Sequence, residues 1–136
     1  MELDADEVWD RIHYFFGKRL AALERGGVAR ERLILDPGMG FFLSNRPEAS
    51  LRVLTRLGCL KRDFGLPVLV SVSRKSFLRA ITGRAVASEM GAPTLAAELY
   101  AAEMGADYIR THDPGALGDA LKIMAALRSE AARLSG

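Results

Sequence analysis

Apolar residues recur at helical spacing over Val8, Ile12, Phe15, Phe16, Leu20 and Leu23, and the pattern stops at Gly26-Gly27. This predicts an amphipathic first helix with Asp6 as its N-cap. The next apolar run, Arg32-Leu33-Ile34-Leu35, is too short for a helix and is cut by Asp36-Pro37-Gly38, so it reads as a short buried strand followed by a loop to Asn45. Helical spacing returns after Pro47, with Asn45 as a cap and Leu51, Leu54, Leu57 and Leu60 as one buried face as far as Gly65.

Pro67-Val68-Leu69-Val70-Ser71-Val72 is a nearly continuous apolar run rich in β-branched residues, as expected of a strand covered on both faces. A short helix is expected to open at Ser73 to Lys75. Pro93 suits the first turn of another helix through Thr94-Leu95-Ala96-Ala97-Glu98-Leu99-Tyr100, closed by Gly105, and its small residues imply close packing. Asp107-Tyr108-Ile109 reads as a third strand, and Leu117, Leu121 and Met124 give the last helix its stripe. The order α-βα-βα-βα requires a parallel sheet with right-handed crossovers, either open and doubly wound or part of a (β/α)8 barrel.

At 136 residues, 49% hydrophobic and 26% charged, the chain suits one domain, residues 1–136, with a real core. A net charge of +2 with no basic run gives no footprint for nucleic acid. Cys59 is the only cysteine, which excludes an intrachain disulfide and fits a reducing, cytoplasmic setting; it reads as a small apolar residue. The acidic start, Met1 to Asp10, does not look like a signal peptide, and no stretch approaches a membrane span. Trp9, Phe15, Phe16 and Phe42 read as core or loop packing.

The polar chemistry gathers in three segments that each follow a predicted strand: Asp36-Pro37-Gly38-Met39-Gly40-Phe41, Ser73-Arg74-Lys75-Ser76-Phe77 and Arg110-Thr111-His112-Asp113. Asp36 to Lys75 spans 39 residues and Lys75 to His112 spans 37, one βα unit each. All three should therefore meet at the C-terminal ends of neighbouring strands, the face on which α/β enzymes keep their sites. Taken singly each has a plain explanation. Asp-Pro-Gly is an ordinary turn, Ser73 could merely cap a helix, and a strand-end histidine is often only hydrogen-bonded.

In order and at this spacing, the three segments resemble the DPGxGF, SRKSF and R-x-H signatures of the dihydropteroate synthase family, pterin-binding (β/α)8 enzymes. The resemblance covers nearly the whole chain. It implies the C-terminal portion of a TIM barrel: about three βα units plus a leading helix, with strands one to five absent. It further implies that Asp36 and Lys75 bind the pterin, that Phe41 and Ser73 line the p-aminobenzoate pocket, and that Arg110 and His112 hold the leaving pyrophosphate. The helix after Asp113-Pro114-Gly115 is expected to lend its N-terminus to that anion.

The implied reaction condenses a dihydropterin pyrophosphate with p-aminobenzoate to give dihydropteroate, with Mg2+ as cofactor held outside this chain and no metal ligand within it. A half-length chain is expected to be inactive alone, and a homodimer through the last two helices is implied. A non-catalytic pterin-binding module and a pterin methyltransferase of the methyltetrahydrofolate type are the alternatives. Ser71, and Phe42-Leu43-Ser44 after Phe41, depart from the common family pattern and point towards its sulfonamide-insensitive branch.

Overall fold

A computed structural model describes residues 4–39 and 46–135. Helix α1 (Ala5–Arg25) is capped by Asp4 rather than Asp6: Asp4 accepts the Glu7 N–H at 2.9 Å while Glu7 accepts the Asp4 N–H at 3.0 Å, a reciprocal capping box. Two carboxylates in the first turn, Asp6 and Glu7, then complement the positive end of the helix. Val8, Phe16 and Leu20 are buried as the periodicity demands, and Trp9 is buried with them, but Phe15 is exposed, lying just off the buried stripe with Arg19 over its ring.

The leucine run after Pro47 forms two helices, not one: α2 (Pro47–Thr55) and α3 (Leu57–Phe64). The chain breaks at Arg56, where φ is −113° and ψ 17°, and the break re-aims α3 so that Leu57 and Leu60 are fully buried. Leu51 is exposed. Pro47 opens α2 as expected. Asn45, the expected cap, lies outside the described residues.

The strands are short. β1 (Leu69–Val70) and β2 (Tyr108–Ile109) pair in parallel, with Leu69 opposite Tyr108 and Val70 opposite Ile109, and the first predicted strand contributes a single parallel bridge between Leu35 and Val68. A 3-10 turn over Arg30–Arg32 takes up the start of that segment. Pro37 then ends it, because it has no N–H to carry the ladder beyond the Leu35 N–H to Pro67 O and Leu69 N–H to Leu35 O bonds. Helices α4 (Ser76–Thr82), α5 (Gly91–Glu103) and α6 (Pro114–Ser135) complete the chain, α4 opening three residues later than Ser73.

The helices form one continuous layer, α1 on α2, α2 on α4, α4 on α5 and α5 on α6, over one face of this parallel sheet. Val68, Val70 and Val72 point into that layer and are completely buried with Leu57, Leu60 and Val53. The alternate residues point the other way. Ile34, Asp36, Tyr108, Arg110 and His112 are exposed, and Leu69 and Ser71 are half-buried. The parallel sheet with helices on one side is thus an α/β sector of a barrel, its other face uncovered by the described residues, with the strands in the order Leu35, β1, β2.

Candidate functional site

The three strand ends sit side by side on the open face. Extending the pairing of Leu69 with Tyr108 places Ser71 beside Arg110 and Ser73 beside His112, while the Leu35–Val68 bridge sets Asp36 level with Leu69. At about 3.3 Å per residue, Asp36 is then roughly 13 Å deeper along the strand direction than the Ser73–His112 rim, with Arg110 between.

Asp36 closes the Asp-Pro-Gly turn and stays exposed: its Oδ1 accepts the Gly38 N–H at 3.0 Å, and Gly38 supplies the left-handed φ of +75° that the turn needs. The plain turn reading and the binding reading are therefore compatible, since a carboxylate offers about four acceptor sites and the turn uses one.

Ser73 is nearly buried, and its hydroxyl does not cap a helix. Its Oγ lies 2.6 Å from His112 Nδ1 and also accepts the His112 backbone N–H at 3.3 Å. With that N–H donating to Oγ, the serine proton can be given to Nδ1, an arrangement that would place the ring's own proton on Nε2, pointing away from the strand pair. Arg74 next to it adopts φ +58°, held by its N–H donating to Thr94 Oγ1 at 3.0 Å. Lys75, half-buried, stands at the N-cap of α4, and its N–H donates to the Val72 carbonyl at 3.2 Å.

Arg110 is exposed two positions before His112, and its N–H donates to the Val70 carbonyl at 2.9 Å. The start of α6 beyond them is capped by Asp113, whose Oδ1 accepts the Ala116 N–H at 3.0 Å. That bond takes one of the free N–H groups expected to serve an anion and sets a carboxylate beside it. Phe41, the sixth site residue expected, lies outside the described residues.

Three residues of this region were not singled out by sequence reasoning: Thr94, Glu98 and Thr111. Glu98 is 2% exposed on α5, and burial pushes its carboxyl up from the usual 4.5, opposed by the Thr111 hydroxyl and the charge of His112. The one signal for it was a Thr and a Glu four residues apart in an otherwise small, apolar helix. A cavity of about 400 Å3 lies between α5 and the two strand ends, with Ser73, Thr94, Glu98, Thr111 and His112 in its wall. An apolar cavity of about 440 Å3 among α2, α4 and α5 contains none of the expected site residues. Among the described residues no three His, Cys, Asp or Glu side chains converge. Nor is any helix of the described residues long and apolar enough to cross a membrane.

Residues 1–112 match the family model described as "Pterin binding enzyme". The chain is 57% identical over 130 residues to dihydropteroate synthase type-2 of Escherichia coli, covering 96% of this chain and 48% of that protein. Among solved structures, dihydropteroate synthase from Xanthomonas albilineans in complex with 7,8-dihydropteroate superposes with a TM-score of 0.83 at 36% identity, covering 92% of this chain and 47% of the other. The same enzyme with 4-aminobenzoic acid gives 0.84 at 35%, over 93% and 45%. The chain spans about half the length of the relatives it matches.

Proposed function

As the chain belongs to the pterin-binding enzyme family, with dihydropteroate synthases as its relatives, we propose that it supplies the C-terminal half of a dihydropteroate synthase site and binds a dihydropterin pyrophosphate along its open sheet face. The observation that carries this reading is the graded placement of polar groups: a carboxylate deep on the face, at Asp36, and a guanidinium and an imidazole towards the rim, at Arg110 and His112. A ligand with a planar, N–H-rich head and an anionic tail fits that polarity.

Asp36 accepts two N–H donors from the amino-pyrimidinone edge and so fixes the heterocycle. Lys75 reaches its carbonyl, and Phe41 and Ser73 border the aryl amine. The bond between the methylene carbon and the pyrophosphate oxygen breaks with its electron pair going to pyrophosphate. Arg110 and His112, the latter through its Nε2–H, stabilise the charge that accumulates there. The p-aminobenzoate nitrogen forms the new bond to the methylene carbon and releases a proton to solvent. Mg2+ would neutralise further charge on the leaving group and belongs, on this reading, to the half of the site that this chain does not carry.

Turnover needs that other half. Both sheet edges, at the Leu35 segment and at β2, keep unpaired backbone groups among the described residues, and the inward side chains face no opposing wall. The same openness favours a second reading, a pterin-binding module without turnover. Exposed Leu121, Ile123 and Leu127 on α6, with Tyr100 on α5, supply the apolar surface through which two copies would pair.

Calorimetry with a dihydropterin tests the assignment. Asp36→Ala is expected to lose about 1–3 kcal/mol of binding, the range for a charged hydrogen-bond partner removed. Full affinity in both Asp36→Ala and Lys75→Ala removes the pterin site from this face.

A further inference from the structure

Helix α5 consists largely of small and apolar residues, yet it buries two polar side chains one turn apart on the face it turns to the sheet: Thr94 and Glu98. Each reaches a different strand end. Thr94 Oγ1 holds the N–H of Arg74, where the backbone is left-handed just after Ser73. Glu98 shares a cavity wall with Thr111, the residue between Arg110 and His112, whose hydroxyl helps hold its carboxyl down against burial. That hydroxyl also accepts the Asp113 N–H at 3.2 Å, which leaves its own proton available for the Glu98 carboxylate.

The Oε2 atom of Glu98 is buried with no hydrogen-bond partner among the described residues. Such burial works against folding, and a leucine would occupy the same place in α5 without that cost. Burial pushes the Glu98 carboxyl up, the Thr111 hydroxyl and the charge of His112 bring it down and that of Asp113 raises it, so the group senses the strand end it supports.

We infer that Glu98 is a positioning residue: from the helix layer it holds Thr111, and with it the strand end, so that Ser73 can lock the His112 imidazole with its proton on Nε2. Thr94 does the corresponding work for the Ser73–Arg74 turn. What the arrangement serves rests on the proposed anion site at Arg110 and His112; the geometry itself does not.

The test reads the His112 ring directly. The chain has two histidines, so nitrogen-15 NMR of the 136-residue protein resolves His112 once His13→Gln has assigned the other signal. The neutral imidazole of His112 is expected as the Nε2–H tautomer in the unsubstituted chain and in Glu98→Gln, whose amide oxygen still accepts from Thr111. In Glu98→Leu it should become a mixture of tautomers, with pyrophosphate binding about five- to tenfold weaker and thermal stability unchanged or higher. A merely structural glutamate would give the opposite stability order and leave the tautomer alone. An Nε2–H tautomer retained in Glu98→Leu overturns the inference. Should that variant fail to fold, Thr111→Val cuts the same link and is expected to give the same mixture, and an unchanged tautomer there overturns it equally. If the tautomer shifts as expected while pyrophosphate moves the His112 signals in no variant, the positioning role stands and the anion-site reading falls.

Discussion

Ser73→Ala removes one oxygen atom and tests how much of the rim depends on it. The hydroxyl makes a 2.6 Å contact with His112 Nδ1 and a longer one, 3.3 Å, with the His112 N–H, and Ser73 is only 5% exposed. The short bond is worth about 1 kcal/mol net and the long one a fraction of that, so the variant should be less stable by about 1–1.5 kcal/mol. Freed from Ser73, the exposed imidazole can turn and take either tautomer. Freezing it again on binding takes about another 1 kcal/mol from anion affinity, close to a factor of five. Titration calorimetry with pyrophosphate, beside urea denaturation, separates the two effects. Weaker binding in proportion is the expected result. A Kd within twofold of the starting protein, at undiminished stability, would refute the idea that Ser73 orients His112.

Other outcomes follow from named contacts. Arg110→Lys keeps the charge but replaces a planar fork by a point charge, so pyrophosphate affinity by calorimetry should fall severalfold, and a fully tolerated change would exclude bidentate contact. Leu57→Ala empties a fully buried site between α3 and the sheet and should cost about 2–5 kcal/mol in a denaturation series. Asp107 has its carboxyl held below the usual 3.8 chiefly by the Val68 N–H, at 2.9 Å, and secondarily by Lys61, against the opposing effect of burial. Its contribution is therefore complete at neutral pH and disappears as pH falls through the lowered folded value. Asp107→Asn should accordingly be less stable than the starting protein at pH 7, with the gap closing in acid, and a gap independent of pH would contradict this.

The parts of the fold that depend on local chemistry could be read from the chain alone. Pro47 marks the start of α2, Gly65 ends α3 in the left-handed conformation, and the valine run at 68, 70 and 72 is the buried face of the central strand. What depends on partners far along the chain could not. The leucine spacing runs unbroken through Arg56, so nothing local foretells the break that turns α3 inwards. Ser73 sits where a cap would, and only the neighbouring strand end, 39 residues on, draws its hydroxyl to His112. Asp113 illustrates the converse: as an N-cap it is legible, but its consequence for the anion expected there appears only when its carboxylate is seen on the Ala116 N–H. Thr94 and Glu98 look like stray polar residues until α5 is laid against two strand ends.

The central claim, that this open face is half of a dihydropteroate synthase site, is tested most directly by completing the barrel. The segment of the Escherichia coli type-2 relative outside the matched region would be joined to this chain, and dihydropteroate formation from dihydropterin pyrophosphate and p-aminobenzoate would be assayed beside the 136-residue chain alone. The account predicts turnover in the completed protein, its loss in Asp36→Ala and in Arg110→Ala, and none from the chain by itself. A completed, folded protein whose turnover is indifferent to both substitutions would contradict it.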